Sequence, residues 1–255
     1  GRNTVGEYSK KFKVQSSKFK IEEYNKKYFF SQKKLSNWRF RLYAKILSFF
    51  PQIKLVGLSG SISMMNASEK DDIDLFIITA KNRLFTGRFI AIILAKILII
   101  HRSYTQSYKL QVTSYTNKVC LNLFFDENDL AVPKFKRSEY AAHEVLQMKP
   151  IINKNYTYER FLSKNLWVFK IFPNAEKIFN FQFSIFKQVK NSNFKNYKFN
   201  KNLKLKIENF GDWVETQIKN LQLFLINRHK TNEIVTSTQL WFHPEDFGKN
   251  FRSLI

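Results

Sequence analysis

"VGLSGSISMMNASEKDDIDLFIIT", residues 56–79, sets a Gly-Ser pair, a polar stretch and two aspartates one residue apart between two strongly apolar runs. The run 72–79 is rich in β-branched and aromatic residues and predicts a strand. Successive side chains of a strand alternate faces, so Asp72 and Asp74 share one face while Ile73 and Leu75 enter the core on the other. Two like charges so close repel, and a cation between them offsets that repulsion. Oxygen ligands of this kind suit Mg2+, which takes one or two carboxylates plus substrate phosphates. Gly60 and Ser61 predict the other half of the site: glycine lets the backbone approach a ligand closely, and the start of the following short helix offers free N–H groups to a phosphate.

Outward from this stretch, "IKLVGL" (53–58) predicts a strand that can pair with 72–79, and the apolar segment 84–100 predicts the helix that covers them. Arg88 and Lys96 interrupt that segment, so it is too short a clean run to cross a bilayer of about 30 Å, and no membrane partner is expected. Upstream, residues 16–50 carry helical spacing that ends at Pro51 and read as one or two helices. Downstream, turn-prone Thr116-Asn117 separates expected strands near 109–115 and 118–125. Beyond Pro133 the pattern is helical, opening with Ser138 as a candidate N-cap. The expected architecture is an α+β domain over residues 1–132, with N-terminal helices and a mixed sheet, followed by an all-helical domain over 133–255.

Composition bounds the function. With 44% hydrophobic residues, 27 Phe, and only 7 Gly and 5 Pro in 255 residues, the chain is a packed protein and not a fibrous or low-complexity one. Its one cysteine, Cys120, excludes an internal disulfide, and no Cys/His cluster has zinc-ligand spacing, so a reducing, cytoplasmic setting is expected. The sequence opens on Gly1 and not on Met, which leaves open whether residues precede it.

The net charge of +23 has two readings: a nucleic-acid partner whose phosphates the Lys and Arg neutralise, or the lysine excess of an AT-rich genome. Twelve basic residues lie between Lys10 and Lys45 against two glutamates, and ten between Lys164 and Lys206 against one, flanking a locally acidic centre at 71–74. That distribution favours nucleic acid, RNA ahead of DNA.

Gly60-Ser61, ten intervening residues and Asp72-Ile73-Asp74, set between two apolar strands, resemble the signature of the DNA polymerase β-type nucleotidyltransferase superfamily, in particular its small prokaryotic members. The resemblance covers roughly residues 38–126. It implies Mg2+-dependent transfer of a nucleoside monophosphate from a nucleoside triphosphate such as ATP to a hydroxyl, with Asp72 and Asp74 as metal ligands and Gly60 and Ser61 cradling the β- and γ-phosphates. Catalytic members usually add a third carboxylate on a later strand. In "VCLNLFFDEN" the matching position holds Asn122, and Asp126 lies about 13 Å further along the strand, so both cannot reach the metals. Three readings stay open: Asp126 completes the site, Asn122 does so as a neutral oxygen ligand, or turnover is lost. The lost-turnover reading describes a degenerate relative that binds nucleotide or nucleic acid. A further alternative is a transferase acting on a protein or small-molecule hydroxyl.

Other residues carry blander readings. Lys81, Arg83 and Arg88 could reach a triphosphate but read better as surface or core-rim charges. His143-Glu144 lacks the second histidine of a zinc-protease helix and reads as structural, as does "FHPEDF" (242–247). Ser59, Ser61 and Ser63 fit no serine-hydrolase motif.

Overall fold

The computed structural model describes residues 4–101, 118–177, 201–228 and 233–242, the side chains of 4–19 and 201–207 excepted. The expected strand near 109–115, most of "FHPEDF" and the stretch 179–200, whose interleaved aromatics and lysines read from sequence as helix core ahead of a surface for stacking bases, lie outside these. Helix α1 (Thr4–Ser36) and helix α2 (Trp38–Phe49) are separate because Asn37 breaks them: its side-chain oxygen accepts the Arg39 N–H at 2.9 Å and caps α2. α2 stops just before Pro51. There follow β1 (Ile53–Leu58), the short α3 (Gly60–Ser63), β2 (Ile73–Thr79), α4 (Leu84–Ile97) and β3 (Val119–Asp126). After a single 3-10 turn come α5 (Glu139–Gln147), β4 (Lys149–Asn153), α6 (Thr157–Lys164) and α7 (Trp167–Ile171). The long α8 (Lys201–Asn227) precedes β5 (Ile234–Val235) and β6 (Gln239–Trp241).

The fold is mixed α+β: a six-stranded sheet in the order β4-β1-β2-β3-β6-β5 with helices on both faces. β2 and β3 run parallel and the other neighbours antiparallel, as expected when α4 connects the first pair and turns connect others. One face packs Ile73, Leu75 and Ile77 against Tyr43, Leu47, Phe85, Ala91 and Ala95 of α2 and α4. The opposite face packs Phe76, Ile78 and Phe125 against Ala142, Val145, Phe161 and Val168 of α5, α6 and α7. Tyr43, fully buried, donates its hydroxyl to the Ala91 carbonyl at 3.1 Å and ties α2 to α4.

The expectation of an all-helical region over 133–255 is corrected. Residues 149–153 add β4 beside β1, and 234–241 add two strands beside β3, so the sheet draws on both sides of residue 132. These strands escape pattern reading for physical reasons. β4 is an edge strand with four of its five residues exposed and with Pro150 inside it, which only an edge tolerates. β5 and β6 are two and three residues long, too short for any period.

Among the described residues, no helix is long and apolar enough to cross a membrane.

Candidate metal and nucleotide site

The strand pair β2–β3 places the acidic pair. In β2, Ile73 and Leu75 enter the α2–α4 core, and Asp74 lies on the side of Phe76 and Ile78, facing the α5–α7 layer. Asp72 and Asp74 therefore converge at the start of β2, both half-buried. Parallel pairing sets Asp74 directly against Cys120 of β3. One ligand atom from each of Asp72, Asp74 and Cys120 lies within 4.8 Å of the others.

This register corrects the pairing expected for the third position: Cys120, not Asn122, lies across from Asp74. Between the pairs Asp74–Cys120 and Phe76–Leu123, β3 holds one residue more than β2, a bulge that puts both Leu121 and Phe124 into the same core although they are an odd number of positions, three, apart. Asn122 sits in this bulge, 7% exposed, its carbonyl accepting the Phe242 N–H at 2.8 Å. It is one side-chain repeat, roughly 7 Å, further along the strand than Cys120. The residue across from Asp74 is thus Cys120, which no carboxylate-seeking motif would select.

Asp126 is corrected as well. It pairs with Thr79 at the opposite end of β2, roughly 16 Å from Asp74 along the strand. There it accepts the Asn128 N–H at 2.8 Å and the Arg83 N–H at 3.3 Å, and burial holds its carboxyl above the usual carboxylate range against those hydrogen bonds. It closes the turn into α4. Arg83 and Arg88 belong to that end too. Arg83 pairs with Asp212 of α8 at 2.6 Å, and Arg88 donates to Gln222 at 2.5 Å, its guanidinium lowered to about 10 by burial.

The Gly60-Ser61 turn lies where the sequence predicts, but its groups have protein partners. Gly60 adopts φ +59°, and a Cβ there would meet Asp74 Oδ2 at 2.6 Å, so only glycine fits this approach. Its N–H donates to Glu144 Oε2 at 3.1 Å. The Ser61 hydroxyl donates to Asp71 Oδ2 at 3.0 Å. Asp71 also accepts the Ser68 N–H at 2.9 Å and the Ser68 hydroxyl at 2.5 Å. Burial pushes the Asp71 carboxyl up, but the Ser68 and Ser61 hydrogen bonds and the Lys34 charge outweigh it and leave it below the ordinary value.

Three residues near the pair carry no local sequence signature. Lys34 of α1, 2% exposed, donates to the carbonyls of Asp71 at 2.6 Å and Glu69 at 2.8 Å and anchors the loop that delivers Asp72. Burial lowers its ammonium, and the charges of Asp71, Asp72 and Glu69 oppose that. Glu144 and Tyr140 come from α5, which Ser138 caps as expected by accepting the Ala141 N–H at 3.1 Å. Glu144 is read from sequence as structural, yet it touches the Gly60 turn. Burial raises its carboxyl despite hydrogen bonds from Gly60 and Tyr140. The Tyr140 phenol is pushed up to about 12 by burial, with the charges of Glu144 and Asp74 adding to it.

Asp72 and Asp74 fit a hard divalent cation: two carboxylates on one face, near a turn that leaves room for the backbone. The Cys120 thiol is a soft donor and does not suit Mg2+.

No protein-family model, no curated protein and no solved structure matches the chain.

Proposed function

We propose that the chain is a Mg2+-dependent nucleotidyltransferase, moving a nucleoside monophosphate from a nucleoside triphosphate to a hydroxyl at an RNA end. The observation that carries this reading is the meeting of Asp72 and Asp74 on one face with the Gly60 turn, which Asp74 approaches so closely that a side chain there would clash. Asp72 and Asp74 would hold the cation. Bound there, it would supply charge neutralisation for the triphosphate and for the departing pyrophosphate.

Gly60 contributes the missing side chain rather than its N–H, which Glu144 accepts. Lys34 and Ser61 hold the 66–72 loop so that the two carboxylates stay converged. The net charge of +23 supports a polyanionic acceptor.

A second reading is favoured by Cys120. A buried thiol stands where a third carboxylate would accept the acceptor's proton, and this supports nucleotide binding without turnover.

Incubation with α-labelled triphosphates, Mg2+ and total RNA separates the two. Transfer of label to RNA, lost at least a hundredfold in the Asp72→Asn/Asp74→Asn protein, is the expected result. Mg2+-dependent triphosphate binding without transfer selects the second reading, and the absence of both refutes the site.

A further inference from the structure

We propose that the third negative charge of the cation site is supplied by Glu144 of α5, across the Gly60 turn, instead of by a residue of β3. This rests on the metal reading above.

Gly60 links the groups. Its N–H is 3.1 Å from Glu144 Oε2, and the position of its absent Cβ is 2.6 Å from Asp74 Oδ2. With standard bond lengths at one Cα, the two carboxylates lie no more than about 8 Å apart. Tyr140, one helical turn before Glu144 on α5, is hydrogen-bonded to it and feels the charge of Asp74. The contact is built into the fold: α5 is capped by Ser138, buries Ala142 and Val145 against the sheet, and leads within two residues into β4. His143, on the same helix beside Glu144, packs edge-on against Phe172 and leaves Glu144 as the side chain facing the turn.

A unit negative charge about 8 Å from a divalent cation is worth about sixfold in affinity under screening close to that of water, and about tenfold or more in a half-buried site. Glu144 acts through this charge and through Gly60, as a positioning residue. It need not touch the ion.

The probe is Mn2+ alone, titrated into the full chain at pH 7.5 and followed by the electron paramagnetic resonance of the free ion. Glu144→Gln keeps an amide oxygen for the Gly60 N–H and removes the charge. It should weaken Mn2+ binding about tenfold with the melting temperature unchanged or raised. Glu144→Asp should recover part of the loss. Tyr140→Phe keeps the Glu144 charge and removes only the phenol that hydrogen-bonds it, and should stay within about twofold of wild type.

Wild-type affinity in Glu144→Gln, or an equal loss in Tyr140→Phe, overturns the proposal while leaving the Asp72–Asp74 site standing. If the wild-type chain binds no Mn2+, or binds it equally well after Asp72→Asn/Asp74→Asn, the metal reading falls and this inference with it.

Discussion

The two ends of the β2–β3 pair both carry carboxylates and use them in opposite ways. At the end where α4 begins, Asp126 and Glu215 accept backbone N–H groups: Arg83 and Asn128 from the first, Phe85 at 2.7 Å and Thr86 at 2.9 Å from the second. The Phe85 and Thr86 groups are first-turn donors of α4, where negative charge suits the helix dipole, and Asn128 lies in the turn after β3. At the other end, Asp72 and Asp74 are drawn together with the Cys120 thiol into a span of 4.8 Å. The same residue type is a helix cap at one end and a candidate cation ligand at the other. What differs is the neighbour beyond the strand: the first turn of α4, or the Gly60 turn.

Removing the cap should show the largest effect. Glu215→Ala leaves two N–H groups of α4 without their acceptor and cuts one tie between α4 and α8. It should lower the unfolding free energy by about 2 kcal/mol, measured in urea, with Mn2+ binding unchanged. A change in Mn2+ affinity would mean that the two ends are coupled and the contrast between them false.

Next comes Cys120→Asp, which places a carboxylate opposite Asp74. It should tighten Mg2+ and Mn2+ binding about tenfold and destabilise the cation-free protein, whereas Asn122→Asp should change affinity less than about twofold. The reverse ranking would show that the bulge in β3 is misplaced by one side-chain repeat.

The smallest effect concerns Asp126. Burial raises its carboxyl in the folded state, so the folded chain binds this proton more readily than the unfolded one. The ionised group therefore costs stability above its folded value, and the cost fades as pH falls toward the unfolded value of about 4. Asp126→Asn should compare best with wild type near pH 7 and lose that relative advantage toward pH 4, read from urea midpoints at each pH. A difference that grows on acidification would mean that its hydrogen bonds to Arg83 and Asn128 outweigh burial.

Local pattern made part of this molecule legible. Alternation over 72–79 put Asp72 and Asp74 on one face and Ile73 and Leu75 in the core, and the structure agrees. The helices 38–49 and 84–97, the Gly60 turn and the Ser138 cap follow from period, glycine and capping chemistry, which act within a few residues. The strand at 119–126 was readable as well, but its partner register was not.

What only tertiary structure decided depends on residues far apart in the chain. The bulge at Asn122 shifts the pairing by one residue and brings Cys120 to Asp74, because a register is settled by the packing of Leu121 and Phe124 into one core, not by the strand's own sequence. β4 becomes a strand only because β1 offers it an edge, despite Pro150. Glu144 is 84 residues from Gly60, and nothing in "AAHEVLQM" marks it for that turn until α5 is laid across the sheet. The sequence by itself determined where two carboxylates would stand side by side. Which groups surround them was decided by how distant elements pack, since hydrophobic burial sets those positions without regard to the chemistry it brings together.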